Sequence, residues 1–134
     1  NLVYPHMKNQ GGGSIIHISS IEGLHPSPFM AAYNISKTAL IMAGKNQSIE
    51  WGRHNIRVNM ICPGYVKTKL SAAPLENEIS KNGFLKNVSL GRGSTPDEMA
   101  GLAVFLASDA SSYMTGTSIV NDGGLMNAPL IPMQ

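Results

Sequence analysis

An α/β architecture, with parallel strands covered by helices on both faces, is the fold class this sequence predicts. Three observations predict it. Short apolar runs rich in isoleucine and valine recur at 14–19, 56–62 and 117–120, as expected of strands buried on both faces. Segments with helix-start signals separate those runs. The resulting order of strand, helix, strand, loop, helix, strand is the alternation that builds a parallel sheet.

Each element has its own local reason. Residues 1–10 read as the end of a helix, broken by Gly11-Gly12-Gly13. Ser14-Ile15-Ile16-His17-Ile18-Ser19 is a β-branched run bounded by turn residues, hence a buried strand. A loop follows through Gly23, Pro26 and Pro28. Ser27 offers a capping hydroxyl with proline next to it, so a helix is predicted from there to about Gly52. The second strand, Ile56 to Cys62, stops at Pro63-Gly64. From Lys67 to Gly93 the period is lost, predicting a mobile loop with a short helix near Leu75–Leu85. Thr95-Pro96-Asp97-Glu98 starts a further helix, its acids in the first turn, running to about Ser108. The last strand, Thr117 to Val120, precedes Asp122-Gly123-Gly124. No internal repeat or low-complexity tract interrupts this order.

Composition narrows the function classes. A chain of 134 residues is one domain at most, and its 43% hydrophobic content suffices for a real core. Charged residues are only 13%, well below the usual ~25%, which predicts covered faces against further sequence or other subunits. A net charge of +2, with scattered lysines and arginines, argues against a nucleic-acid partner. The single Cys62 excludes an internal disulfide, so a reducing, cytoplasmic setting is expected. No apolar stretch reaches the ~18 residues of a membrane span, so no membrane partner is expected. His6, His17 and His54 lack metal-ligand spacing and read as structural. Trp51 reads as a packing residue and the eight methionines as core and interface filler; Glu22 and His25, which follow Ser20, could face substrate but read more simply as solvated loop residues. The chain opens on Asn1 and not Met, so upstream sequence is expected.

Chemistry concentrates in one region. Tyr33 and Lys37 stand four apart in a helical segment, which places both on one face a turn apart. A free phenol, with a pKa near ~10, transfers protons poorly at neutral pH, and a nearby ammonium favours the phenolate. Such a pair is an acid/base able to serve a carbonyl or an alcohol. Alone, it also fits an ordinary exposed helix face. Ser20 lies thirteen residues before Tyr33, just past a buried strand, where open parallel sheets bind ligands. Its hydroxyl could hold a substrate oxygen or merely satisfy a turn, as Ser19 is expected to do. Pro63-Gly64-Tyr65-Val66-Lys67-Thr68 ends the second strand in the same manner, glycine permitting close approach of a ligand or of backbone. Two strands ending together in polar loops favour a crevice.

Taken together, Gly13 to Ser20, the Tyr33/Lys37 pair, Ile56-Arg57-Val58-Asn59 with Pro63-Gly64, and Thr115-Gly116 with Asp122-Gly123-Gly124 resemble the short-chain dehydrogenase/reductase family, in its order and spacing from about residue 3 to 126. The resemblance implies the last three strands and helices of a doubly wound, Rossmann-like sheet, with residues 1–134 forming the C-terminal part of a single domain. It implies that Ser20 binds the substrate oxygen and that Tyr33 is the general acid/base. Lys37 would tune Tyr33 and bind the nicotinamide ribose of NAD or NADP, with Pro63, Gly64, Val66 and Thr68 holding the carboxamide end. It further implies a substrate lid over about 69–93 and a homo-oligomer, dimer or tetramer.

The glycine-rich pyrophosphate turn of that family matches no glycine cluster here. Gly11-Gly12-Gly13 precedes a strand, and Thr115-Gly116 lacks further glycines where they are needed. That turn, the residue choosing NAD or NADP and the family's relay asparagine are therefore expected before Asn1. Two functions follow: an oxidoreductase acting on a small-molecule carbonyl or secondary alcohol, or a non-catalytic relative serving binding or assembly. The intact Ser20, Tyr33 and Lys37 favour the first. Ala72, Ala73, Leu75, Phe84 and Leu85 suggest an apolar pocket, which leaves keto-acyl thioesters, sugars, steroids and small ketones all open.

Overall fold

Alternate residues of the central strand face two different helices, and that is where the core sits. The computed structural model describes residues 2–72 and 85–127. Its elements are α1 Val3–Asn9, β1 Gly13–Ile18, α2 Ala31–Trp51, β2 Ile56–Pro63, α3 Lys69–Ala72, α4 Asp97–Ala107 and β3 Ser118–Asn121. The strands form one parallel sheet in the order β1-β2-β3. Gly13 lies opposite Ile56 and Ile18 opposite Ile61, while Met60 and Pro63 face Ser118 and Asn121. In this register all three carboxyl ends point the same way. The strands agree with their predicted bounds to within one residue at either end.

Ile56, Val58, Met60, Ile61 and Cys62 of β2 are all buried. Trp51 of α2 packs on Ile56 and Val58, with Tyr4 and Met7 of α1 and Ile15 of β1 around them, and its ring stacks on Tyr4 at 5.2 Å. Ile41 of α2 packs on Met60 and Cys62. Gly44 lets α2 come this close, because a Cβ there would collide with the Met60 sulfur. The opposite face belongs to α4. Ser14 donates to the Leu106 carbonyl at 2.7 Å, and Arg57 donates to Ser111 Oγ at 2.8 Å and to the Ser108 carbonyl at 3.2 Å. Asn59 is fully buried; its amide donates to Met114 O at 2.8 Å and accepts from Thr117 N at 3.2 Å, stitching β2 to the entry of β3. His17 pairs with Gln47 at 2.6 Å, and His54 packs edge-on against Tyr4.

One expectation needs revising. Ser27 does not cap α2, which begins at Ala31 with Met30 at its N-cap. The Ser27 hydroxyl instead donates to Glu22 Oε1 at 2.7 Å, and Phe29 turns through φ +64°. A left-handed residue there is incompatible with a helix continuing through it. Thr68 leads into α3: Ser71 Oγ accepts from Thr68 N at 2.9 Å, and Thr68 Oγ1 lies 3.2 Å from Ser71 Oγ. The short helix expected near Leu75–Leu85, and lid residues Ala73, Leu75 and Phe84, lie outside the described residues, save for Leu85 itself.

The start of α4 follows its sequence signal. Thr95 N donates to Glu98 Oε2 at 2.9 Å, half of a capping box. Arg92 adds a two-pronged pair to the same carboxylate at 2.7 and 2.8 Å. Chiefly through that Arg92 hydrogen bond, the Glu98 carboxyl falls to about 2. Its folded value lies below its unfolded one, so its contribution is complete above the ordinary carboxylate range and is lost as pH falls towards 2. NMR titration should find Glu98 ionised well below pH ~4, and Arg92→Ala should move its midpoint back up towards ~4.3.

β1 occupies a sheet edge, and Ile18 at its end is 54% exposed. Along α2, Ile35, Met42 and Ile49 are 69%, 54% and 80% exposed at seven-residue spacing, which makes one stripe. An open strand edge and an apolar stripe both favour association. Expressed alone, residues 1–134 should therefore scatter light as an oligomer or aggregate; a monodisperse monomer would contradict this.

Candidate active site at the carboxyl ends of the strands

The residues after Ile18 are pinned to α2 from several directions. Ser19 N continues the ladder by donating to Ile61 O at 2.8 Å, while the Ser19 hydroxyl donates to the Lys37 carbonyl at 2.9 Å. Ser19 is thus the backbone-satisfying serine that was expected. Lys37 Nζ reaches back to the Ile18 carbonyl at 3.1 Å. Lys37 is accordingly tied to the end of β1 through its backbone and its ammonium. Further along, the Thr38 hydroxyl lies 3.0 Å from Gly23 O and 2.9 Å from Asn34 O.

Gly23 makes this closeness possible. A Cβ at Gly23 would stand 2.9 Å from the Lys37 carbonyl carbon and 2.9 Å from Ile41 Cδ1. Backbone cannot swing aside as a side-chain tip can, so the loop lies against α2 only with glycine at this position.

Ser20 is buried at the mouth of this clamp and caps the 3-10 turn Ile21–Gly23: its Oγ accepts from Glu22 N at 3.1 Å. That bond uses a lone pair and leaves the hydroxyl proton free to donate. Tyr33 stands one turn before Lys37 and is 38% exposed; its hydroxyl makes no hydrogen bond among the described residues. Lys37 Nζ lies 5.5 Å from the centre of the Tyr33 ring. Lys37 has spent one of its three N–H donors on Ile18 O and keeps two for a ligand. Cys62 touches the Ser19 hydroxyl and the Ser20 backbone; burial pushes its thiol up, which keeps it a neutral packing group.

The second predicted segment sits at the neighbouring strand end. Pro63 closes β2, Gly64 N donates to Asn121 O at 3.0 Å, and a Cβ at Gly64 would come 2.6 Å from Asp122 Cβ. The close approach foreseen for Gly64 is therefore one of backbone. Val66 bridges Ser94, which fixes the base of the excursion between them. Asp122 accepts from Gly124 N and Met126 N at 2.8 and 2.7 Å, with Gly123 and Gly124 in left-handed conformations. Lys37 is thus tied to the end of β1 and Ser20 to the turn that follows it, while Tyr33 stands one helical turn before Lys37 with the Lys37 ammonium over its ring. Pro63, Gly64, Val66 and Thr68 share the carboxyl side of the sheet, but no described hydrogen bond joins them to Tyr33 or Lys37. Sequence reasoning gave neither the tie of Glu22 to Ser27 nor the partners of the buried Asn59. Gly23, directly after Glu22, was the available hint.

This arrangement defines a doubly wound α/β protein with polar groups gathered at the carboxyl ends of parallel strands. A family model described as enoyl-(acyl carrier protein) reductase matches residues 1–126. Dehydrogenase/reductase SDR family member 4 of Oryctolagus cuniculus is 38% identical over 122 residues, covering 91% of this chain and 47% of the relative. A 3-oxoacyl-[acyl-carrier-protein] reductase of Chlamydia trachomatis is 44% identical over 124 residues, 92% of this chain and 49% of the relative. A crystal structure of a Burkholderia cenocepacia gluconate 5-dehydrogenase, in complex with NADP and tartrate, superposes with TM-score 0.90 at 35% identity, over 93% of this chain and 49% of that one. The chain belongs to the short-chain dehydrogenase/reductase family. It spans about half the length of the curated relatives it matches.

Gly23→Ala should destabilise the fold by roughly 1–3 kcal/mol, the usual cost of overpacking. Thermal unfolding of the full-length polypeptide checks this; an unchanged variant would mean that the loop does not need this contact.

Proposed function

We propose that this chain supplies the catalytic half of an NAD(P)-dependent oxidoreductase that interconverts a carbonyl and a secondary alcohol. The observation that carries the reading is the Tyr33/Lys37 pair: a phenol with an uncommitted hydroxyl beside an ammonium held at the end of β1. Relatives described as 3-oxoacyl reductases and structures described as gluconate and acetoin dehydrogenases support it, as does NADP in two of the similar structures.

The residues fit a nicotinamide nucleotide. The two spare N–H donors of Lys37 suit ribose hydroxyls, and Pro63, Gly64, Val66 and Thr68 offer backbone at the adjacent strand end for the carboxamide. When bound, that group exchanges a hydride with the substrate carbon. Tyr33 gives the substrate oxygen its proton in reduction and takes it back in oxidation. Ser20, its proton free, donates to the same oxygen and fixes the carbonyl in front of the phenol. Lys37 stabilises the phenolate that remains once the proton has gone. The stripe Ile35, Met42 and Ile49 on α2 favours a working homo-oligomer in which second copies cover it.

Activity is best sought by following NADPH or NADH oxidation in the full-length polypeptide with 2,3-butanedione, an acetoacetyl thioester and a 5-ketohexonate. Tyr33→Phe should lower kcat by ~10²–10⁴-fold, the ordinary worth of a general acid, while the cofactor Kd changes little. A variant that keeps more than about a tenth of the parent's turnover would remove Tyr33 from this role.

A further inference from the structure

Glu22 looks from sequence like a solvated loop acid, yet the structure surrounds it with donors. Its Oε1 accepts from the Ser27 hydroxyl at 2.7 Å. With the Asn34 amide in the orientation that satisfies both of its ends, Nδ2 donates to Glu22 Oε2 and to Met30 O at 3.1 Å each, and Oδ1 accepts from Ser27 N at 3.1 Å. The backbone N–H of the same Glu22 donates to Ser20 Oγ at 3.1 Å. One residue therefore grips the helix through Asn34, which directly follows Tyr33, and orients the Ser20 hydroxyl through its own N–H. Ser27 closes the triangle from the far end of the loop. Ser19 and Thr38 hold the flanks of the same loop, to Lys37 O and Gly23 O, but neither touches Ser20 Oγ.

We propose that Glu22 is a positioning residue for the reaction: its carboxylate, held by Ser27 and Asn34, fixes the Glu22 N–H that aims Ser20 towards the substrate oxygen. The inference rests on the catalytic reading above. Released from these partners, the 3-10 turn Ile21–Gly23 can shift relative to α2, and the Ser20 hydroxyl shifts with it. Misplacing a reacting group by ~1 Å can cost ~10²-fold in rate.

A mutant cycle on the full-length polypeptide, with NADPH and whichever panel carbonyl turns over fastest, tests this. Glu22→Ala should lower kcat about ten- to a hundredfold, leaving cofactor Kd within roughly twofold and the carbonyl KM little changed. In a Ser20→Ala background the same substitution should cost less than about twofold, because no hydroxyl remains to be aimed. Glu22→Gln, which can still accept from one donor, should fall between Glu22→Ala and the parent. Equal losses from Glu22→Ala with and without Ser20 would overturn the proposal and leave Glu22 a structural residue only. A raised carbonyl KM at constant kcat would overturn it in favour of direct substrate contact. Tyr33→Phe runs alongside to separate the two readings. If Tyr33→Phe is inactive while Glu22→Ala matches the parent, only the positioning role fails; if Tyr33→Phe retains full turnover, the catalytic reading fails and takes this inference with it.

Discussion

The attachment of Lys37 to the end of β1 is the constraint on which the rest of the site depends. Its carbonyl accepts from Ser19, and its ammonium donates to the carbonyl of Ile18. A lysine bound only through its flexible stem would wander over several rotamers, each costing entropy to freeze. Held at both ends, the residue sets the register of α2 on the sheet, and Tyr33 inherits its place from Lys37 through the helix alone. The carbonyl of a helical residue has two lone pairs, so Ser19 can bind Lys37 O without displacing the helix bond.

That constraint explains several features that otherwise look unrelated. Gly23 has to be glycine because the loop must lie on backbone that is itself fixed. Gly44 has to be small because α2, anchored at Lys37, is carried down onto Met60 two turns later. The left-handed turn at Phe29 follows as well, since Ser27 turns back to Glu22 and the chain must then reverse to enter α2. A bulky residue in that conformation carries strain on the order of 1–3 kcal/mol, sustained only where surrounding structure determines it. The ring of Phe29, fully exposed, contributes no burial to offset that cost.

The strands and the Tyr33/Lys37 pair were legible in the sequence because both rest on strictly local signals. An apolar run such as Ile15-Ile16 or Val58-Met60-Ile61 reads as a strand before any partner is known, and a spacing of four is set by the helix itself. The start of α2 was not legible. Ser27-Pro28 carries a sound capping signal, but a capping hydroxyl is worth only ~1 kcal/mol and yields to a charge-assisted bond to Glu22. The role of Glu22 was hidden for the same reason: its partners are five and twelve residues away, and only the folded loop brings them to it. Asn59 shows a third kind of limit. Sitting in a run of buried apolar residues, it is satisfied by Met114 and Thr117, more than fifty residues later in the chain.

The two strand ends of the site are built on different principles, and the difference bears on what each can do. Around Ser20 and Lys37 the hydrogen bonds leave capacity over: a serine proton, a phenol and two ammonium donors. Around Gly64 and Thr68 the glycine gap and both backbone N–H groups are already used, by Asp122, Asn121 and Ser71. Backbone beyond those two groups cannot transfer protons but can hold a planar amide in one orientation. On the function proposed above, proton chemistry falls to the β1 end and orientation to the β2 end. Asn59, through Thr117 N, and Asn121, through Gly64 N, hold β3 beside β2 and so keep those strand ends at a fixed separation.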